Sequence, residues 1–321
     1  MATDGIAISI DEIEAARERL RGVLTRTPLM RLNVENAPAT IYLKLENLQP
    51  IGSFKLRGAF NAMAVATPKQ LAAGVYTASA GNMAQGVAWS ARRLGIPCTV
   101  IVPDHAPATK LASVERMGGT IIKVPFDVWW NVIITHKYDG IDGLFIHPVS
   151  DRAVMAGNGT IGLEILDDLA DVDAIVIPYG GGGLSCGIAS AIRAKNPLVK
   201  IYAAEVETAA PLAPSLAAGH PVPTDYTPTF IDGIGGKSVL EEMWPMAKAL
   251  LDGSIVVSVA EIAAAVKMLA ERNRVIAEGA GAAALAVAMT GKAGSGKVVC
   301  IVSGGNIDAA KLTTILAGGV P

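Results

Sequence analysis

The chain has 321 residues, 51% of them hydrophobic and 17% charged, with a net charge of −2. That composition supports a large globular core and excludes a disordered chain. The near-neutral balance provides no basic stripe for nucleic acid and no polybasic segment for a membrane surface.

The first element is announced by Ser9-Ile10-Asp11-Glu12, a capping box in which each end can satisfy the other's backbone N–H. Ile13, Ala16, Leu20 and Val23 follow at helical spacing. The chain then alternates. β-rich runs stand at Ile41–Leu45, Val75–Ala78, Cys98–Val102, Thr120–Lys123, Leu144–Ile146, Ala174–Ile177, Ile201–Ala204, Ser254–Val257 and Val298–Val302. Helical spacing fills many of the intervals, as at Met83–Leu94, Ala108–Met117, Glu261–Arg272 and Ala309–Leu316. Strand and helix in this rhythm predict parallel sheets covered on both faces, and the mostly apolar strands agree. The block 75–148 holds four of the runs. It is expected to be a small α/β domain inserted into a larger one made of 1–74 and 149–321.

The longest apolar run, Ala280 to Met289, is Ala-rich and reads as a buried helix. No run of about 18 apolar residues lacks charges or turn residues, so no membrane span is expected. Asp4, Asp11 and Glu12 come early with no basic-then-apolar order, which argues against a signal peptide. Cys98, Cys186 and Cys300 are scattered and odd in number, as expected of a reducing, cytoplasmic setting. The four histidines are far apart and form no Cys/His cluster, so no zinc site is expected.

Four turns of small residues each follow a predicted strand: Gly52-Ser53-Phe54-Lys55, Ser79-Ala80-Gly81-Asn82, Gly180-Gly181-Gly182-Gly183 and Ser303-Gly304-Gly305-Asn306. Ligands of open α/β sheets bind at the carboxyl ends of strands, where such turns converge. Gly180 to Gly183 lie between a strand and a helix, so bare backbone N–H groups and the positive helix end can cradle a phosphate. The spacing is wrong for a dinucleotide fingerprint, and no Lys-Ser/Thr follows for a nucleotide P-loop. Gly183-Leu184-Ser185-Cys186-Gly187 also matches the hydrolase elbow Gly-x-Ser-x-Gly. However, His220 is the only later histidine and no aspartate lies between it and Ser185, so a serine hydrolase is the remote alternative.

Lys55 sits directly behind Phe54 where a turn becomes a helix. Burial there would depress its pKa and make it a nucleophilic amine able to form a Schiff base. A Schiff-base lysine together with a phosphate cradle points to pyridoxal 5′-phosphate.

"KLENLQPIGSFKLRGAFNAM", "TASAGNMAQGVAWSARRLGIPCTVIVP", "PYGGGGLSCGIASAI" and "CIVSGGNID" resemble, in order and over nearly the whole chain, the threonine/serine dehydratases of fold type II among pyridoxal-phosphate enzymes. The resemblance implies two open, twisted α/β domains with the cofactor between them. It implies α,β-elimination from a β-hydroxy amino acid such as L-threonine or L-serine, giving a 2-oxo acid and ammonia. Lys55 would bind the cofactor and act as base at Cα, and Phe54 would pack beside it. Asn82 would meet the ring hydroxyl, Gly180, Gly181, Gly182 and Gly183 the phosphate, and Ser303 the ring nitrogen. A serine there does not force a proton onto that nitrogen. The loop Ser79, Ala80, Gly81 and Asn82, with Gln85, would hold the substrate carboxylate. A homodimer is also implied.

Three positions depart from the family pattern. Met83 stands where many relatives have histidine, which puts the usual threonine preference in question. Ala80 replaces the serine that family racemases use as a second base. The relatives' divalent-cation site would begin at Glu205 and use a carbonyl near Ala209, but Pro211 stands at the third, acidic position; no metal is expected. The resemblance implies no isoleucine feedback, since the allosteric members carry a further regulatory domain. Met83 and "VPFDVWWNVIITHKYDGIDGLFIHPVSD" are similar to a narrower branch of hydroxyectoine-utilisation dehydratases, which makes a hydroxyectoine-derived or other hydroxylated amino acid the alternative substrate.

Overall fold

The computed structural model describes residues 5–321, and Asp4 lies outside it. All nine strands expected from the sequence are present, and a tenth, Leu29–Arg31, precedes them. In chain order they are β1 Leu29–Arg31, β2 Thr40–Leu45, β3 Val75–Ala78, β4 Cys98–Pro103 and β5 Thr120–Val124. Then come β6 Leu144–Phe145, β7 Ala174–Pro178, β8 Lys200–Val206, β9 Gly253–Val257 and β10 Lys297–Val302. They form a six-stranded sheet, β1-β2-β10-β7-β8-β9, and a four-stranded sheet, β5-β4-β3-β6. Every pair is parallel except β1 with β2. β1 escaped the sequence reading because a three-residue antiparallel edge strand carries almost no periodic signal.

The parallel register explains the apolar strands. β7 and β3 are buried at every position, because helices cover both faces of each sheet. The large sheet has one core on each side. One is built on the Gly279–Met289 helix, whose residues from Gly279 to Ala288 are all buried. The other lies against the Arg152–Asp168 and Gly183–Lys195 helices. No helix among the described residues is long and apolar enough to cross a membrane.

The small sheet does not build its core from the block 75–148 alone. Ala59, Ala62 and Met63 of the Lys55–Val65 helix and Val154 of the Arg152–Asp168 helix complete it. The helix that begins with Lys55 therefore packs against both halves of the molecule. The capping box at Ser9 and Glu12 forms as expected. The Val259–Met268 helix ends in a π-turn at Leu269–Asn273, where the spacing had assigned a regular helix as far as Arg272.

Candidate active site

A cleft of about 430 Å³ opens between the two sheets, at the carboxyl ends of their strands. Four loops meet in it. Phe54 and Lys55 come from the turn after β2, Ser79 to Met83 from the turn after β3, Gly180 to Leu184 from that after β7, and Ser303 from that after β10. Of the residues singled out in the sequence, Phe54, Lys55, Ser79, Ala80, Gly81, Asn82, the four glycines and Ser303 all line it. Gln85 does not: it is buried on the Asn82–Leu94 helix, one turn in from the cleft loop. Ser185 is fully buried, does not line the cleft, and donates to the Pro178 carbonyl at 3.4 Å. The exposed His220 contacts the Pro221 carbonyl instead, so the hydrolase reading finds no support.

Lys55 opens its helix, with Phe54 as the preceding residue. Its Nζ donates to the Pro148 carbonyl at 2.8 Å and lies 5.2 Å from the centre of the Phe54 ring. Burial lowers the ammonium pKa to about 8, because nothing opposite in charge compensates the lost hydration. The amine is thus poised to lose its proton near neutral pH.

Two residues on, Arg57 anchors the same helix in the interior. Its guanidinium donates to Glu46 at 2.8 Å through both Nε and Nη2, and to Glu164 at 2.6 and 2.9 Å. Thr160 accepts the fifth N–H at 3.0 Å. Lys44 donates to Glu164 at 2.5 Å and to the Thr27 carbonyl at 2.7 Å. Two cations face two anions, and every guanidinium donor is used. Burial works against the Arg57 charge, but the two carboxylates outweigh it and raise the pKa.

The segment between β6 and the Arg152–Asp168 helix ties this lysine to the glycine loop. Pro148 receives Lys55, while Val149 packs into the loop so closely that only glycine fits. A Cβ on Gly181 would come within 2.6 Å of the Val149 side chain, and one on Gly183 would collide with the Val149 carbonyl. Gly182 has φ +97°, a conformation that side chains disfavour. The preceding His147 is held neutral, with its pKa lowered to about 4 chiefly by burial and secondly by His136. Its Nδ1 accepts from Ser150 N at 2.8 Å.

These residues fit pyridoxal 5′-phosphate. The Gly183–Lys195 helix starts on the glycine loop, so N–H groups without intrahelical partners face a cradle from which side chains are sterically excluded. A partly desolvated amine stands in the same cleft. The cation site implied at Glu205 does not fit. The carboxylate already accepts from the N–H groups of Leu212 and Ala213, each at 2.8 Å, and from the Ser254 hydroxyl at 2.6 Å. Gly235 packs so tightly on Ala209 that an added Cβ would lie 2.7 Å from the Ala209 carbonyl oxygen. No step below uses a metal.

The sequence reading missed several cleft residues. Glu278 lines the cleft, accepts from Asn82 Nδ2 at 2.8 Å, and has its pKa raised to about 7 by burial and then by the Asp232 charge. The visible signal was an acid set directly before a wholly apolar helix. Lys110 and Asp232 pair at 2.5 Å across the mouth. Phe126, Trp129 and His105 form an aromatic wall, with ring centres 5.6 Å apart for Phe126–Trp129 and 6.1 Å for His105–Phe126. Only the tertiary fold brings these to one place.

Comparison with known proteins agrees with this geometry. The family model described as "Pyridoxal-phosphate dependent enzyme" matches residues 20–304. An L-threonine ammonia-lyase of Thermotoga maritima is 39% identical over 98% of this chain and 79% of its own length. One from Geobacter sulfurreducens is 41% identical over 96% of this chain and 78% of its own. Among solved structures, maize serine racemase superposes with a TM-score of 0.89 at 34% identity, covering 97% of this chain and 98% of that one.

Proposed function

This chain belongs to the family of pyridoxal-phosphate dependent enzymes, and we propose that within it the protein is an ammonia-lyase converting a β-hydroxy amino acid, such as L-threonine or L-serine, to a 2-oxo acid and ammonia. The observation that carries the reading is Lys55, an amine depressed to about pKa 8, in one cleft with a side-chain-free glycine loop. When bound, the cofactor supplies the electron sink that acidifies the substrate Cα–H.

The chain's own residues divide the remaining work. With the cofactor bound, the N–H groups of Gly180 to Gly183 would hold its phosphate, and Asn82 and Ser303 would meet its ring hydroxyl and its ring nitrogen. Ser79 to Asn82 hold the substrate carboxylate, which fixes the Cα–H toward Lys55. Lys55 Nζ takes the α-proton as general base. The β-hydroxyl leaves with a proton as water, and the released enamine tautomerises and hydrolyses to the 2-oxo acid and ammonia. Ala80 offers no group to return a proton from the opposite face, which favours elimination over racemisation. A cytoplasmic setting is supported by three free, buried cysteines, and a homodimer by the family resemblance.

A second reading has its own observation. Phe126 and Trp129 line the outer cleft, where their aromatic faces suit a longer, cationic side chain. Met83, almost fully buried, adds an apolar wall where many relatives have histidine. This supports a hydroxylated diamino acid or a hydroxyectoine-derived compound as substrate. The deciding assay is 2-oxobutanoate release from L-threonine by the cofactor-loaded protein. Turnover well above that on longer hydroxylated amino acids is the expected result. A yellow, folded protein inert to threonine and serine would transfer the reaction to the second substrate class.

A further inference from the structure

Asn82 is held from both sides. Asn306 Nδ2 donates to the Ile51 carbonyl at 2.8 Å and to Asn82 Oδ1 at 2.8 Å. A backbone carbonyl can only accept, so the Asn306 amide has one orientation. The Asn82 atom facing it is therefore the oxygen, and Asn82 Nδ2 must point the other way. There it donates one hydrogen to Glu278 Oε1 at 2.8 Å. One Asn82 N–H remains, on a residue that lines the cleft.

Glu278 occupies the cap position of the Gly279–Met289 helix, but its side chain makes no capping bond. It turns to Asn82 instead. Its backbone N–H donates to the Gly304 carbonyl at 3.1 Å. Gly304 lets the groups meet: a Cβ there would stand 2.5 Å from Glu278 Oε1 and 3.3 Å from Asn82 Nδ2. A buried acid at a helix start, turned from the cap and bonded to a cleft amide, is not accounted for by folding alone.

We infer that Glu278 and Asn306 are positioning residues, which fix the Asn82 carboxamide so that its last free N–H is presented to the ring oxygen of the cofactor. The inference rests on the pyridoxal-phosphate reading above and concerns how that site is tuned. The buried Glu278 carboxyl, near pKa 7, adds a pH dependence. Above that value the carboxylate accepts strongly from Asn82, and below it the neutral acid is a weaker acceptor. Asp232 and Lys110, the charged groups facing it from the cleft mouth, push its pKa up and down respectively.

The test is the visible absorbance of the cofactor-loaded protein, titrated from pH 5 to pH 9 in wild type, Glu278→Gln, Asn306→Ala and Lys55→Ala. The wild-type band is expected to change with a midpoint near pH 7, and Glu278→Gln is expected to lose that transition. Asn306 is exposed, so Asn306→Ala should fold normally. It is expected to shift the band at all pH values and to weaken cofactor affinity about 3- to 10-fold, the loss of one hydrogen bond. Spectra of both variants superimposable on wild type, with Lys55→Ala still lacking the band, would overturn this inference alone. A Lys55→Ala protein retaining the wild-type band would overturn the cofactor reading beneath it.

Discussion

Lys55 illustrates how a single residue acquires its chemistry. Its side chain is ordinary; its position in the cleft, bonded to the Pro148 carbonyl and beside the Phe54 ring, removes hydration without supplying a counter-charge. The cost of that arrangement is measurable in the cofactor-free protein. A folded-state pKa near 8 against an ordinary 10.5 means that the unfolded chain binds the proton more tightly between those values. The destabilisation is full below pH 8 and is relieved as pH rises to 10.5. Lys55→Met should therefore stabilise the cofactor-free protein below pH 8 by roughly 2–3 kcal/mol, a gain that shrinks toward pH 10.5. Urea melts of both proteins across that range check it; a difference independent of pH would mean that the lysine is not desolvated.

At the scale of elements, the Lys55–Val65 helix is the part on which the site depends. Arg57 fastens it to Glu46 after β2 and to Glu164 and Thr160 on the Arg152–Asp168 helix. Removing one partner from such a buried network strands the others. Arg57→Met should cost about 3–5 kcal/mol, because Glu46 and Glu164 are then left buried beside Lys44 alone. Chemical denaturation of the single variant checks this. A double-mutant cycle with Glu164→Gln should show strong coupling, since the two sites share hydrogen bonds. The sequence disclosed this helix and the lysine that opens it. It did not disclose that Arg57 is internal, because an arginine two residues from a turn reads equally well as solvated until the acids that meet it are known.

At the scale of the molecule, the cleft is closed at its mouth by contacts between the two sheets' surroundings. Lys110 reaches Asp232 across it, whereas His136, His147 and Glu242, which do not line the cleft, come within 4.8 Å of one another although their spacing in the sequence suggested no cluster. The Lys110–Asp232 pair is partly open to solvent, so its worth to stability is small, about 0–1 kcal/mol. Its place across the mouth predicts a larger effect on access. Lys110→Met should leave the melting temperature within about 2 °C of wild type, yet change KM for the amino acid severalfold. Steady-state kinetics with thermal melts check this; unchanged KM would show that the pair does not control the mouth.

The residue pattern alone determined the alternation of strands and helices and the grouping of four strands into a small sheet, and it singled out the lysine and the glycine loop that share one cleft, because each is written in contiguous residues with a local physical reason. Apolar runs declare buried parallel strands, and consecutive glycines declare a backbone cradle. Only the tertiary structure decided which acids and amides face those groups. Glu278, Asn306, Asp232 and Lys110 come from four separate stretches and are brought to Asn82 or the cleft mouth by sheet order. The same holds for Gln85, which matched a motif yet faces the interior, since its direction is set by helix rotation and packing. Contacts between distant residues depend on how layers stack, and no local spacing encodes that.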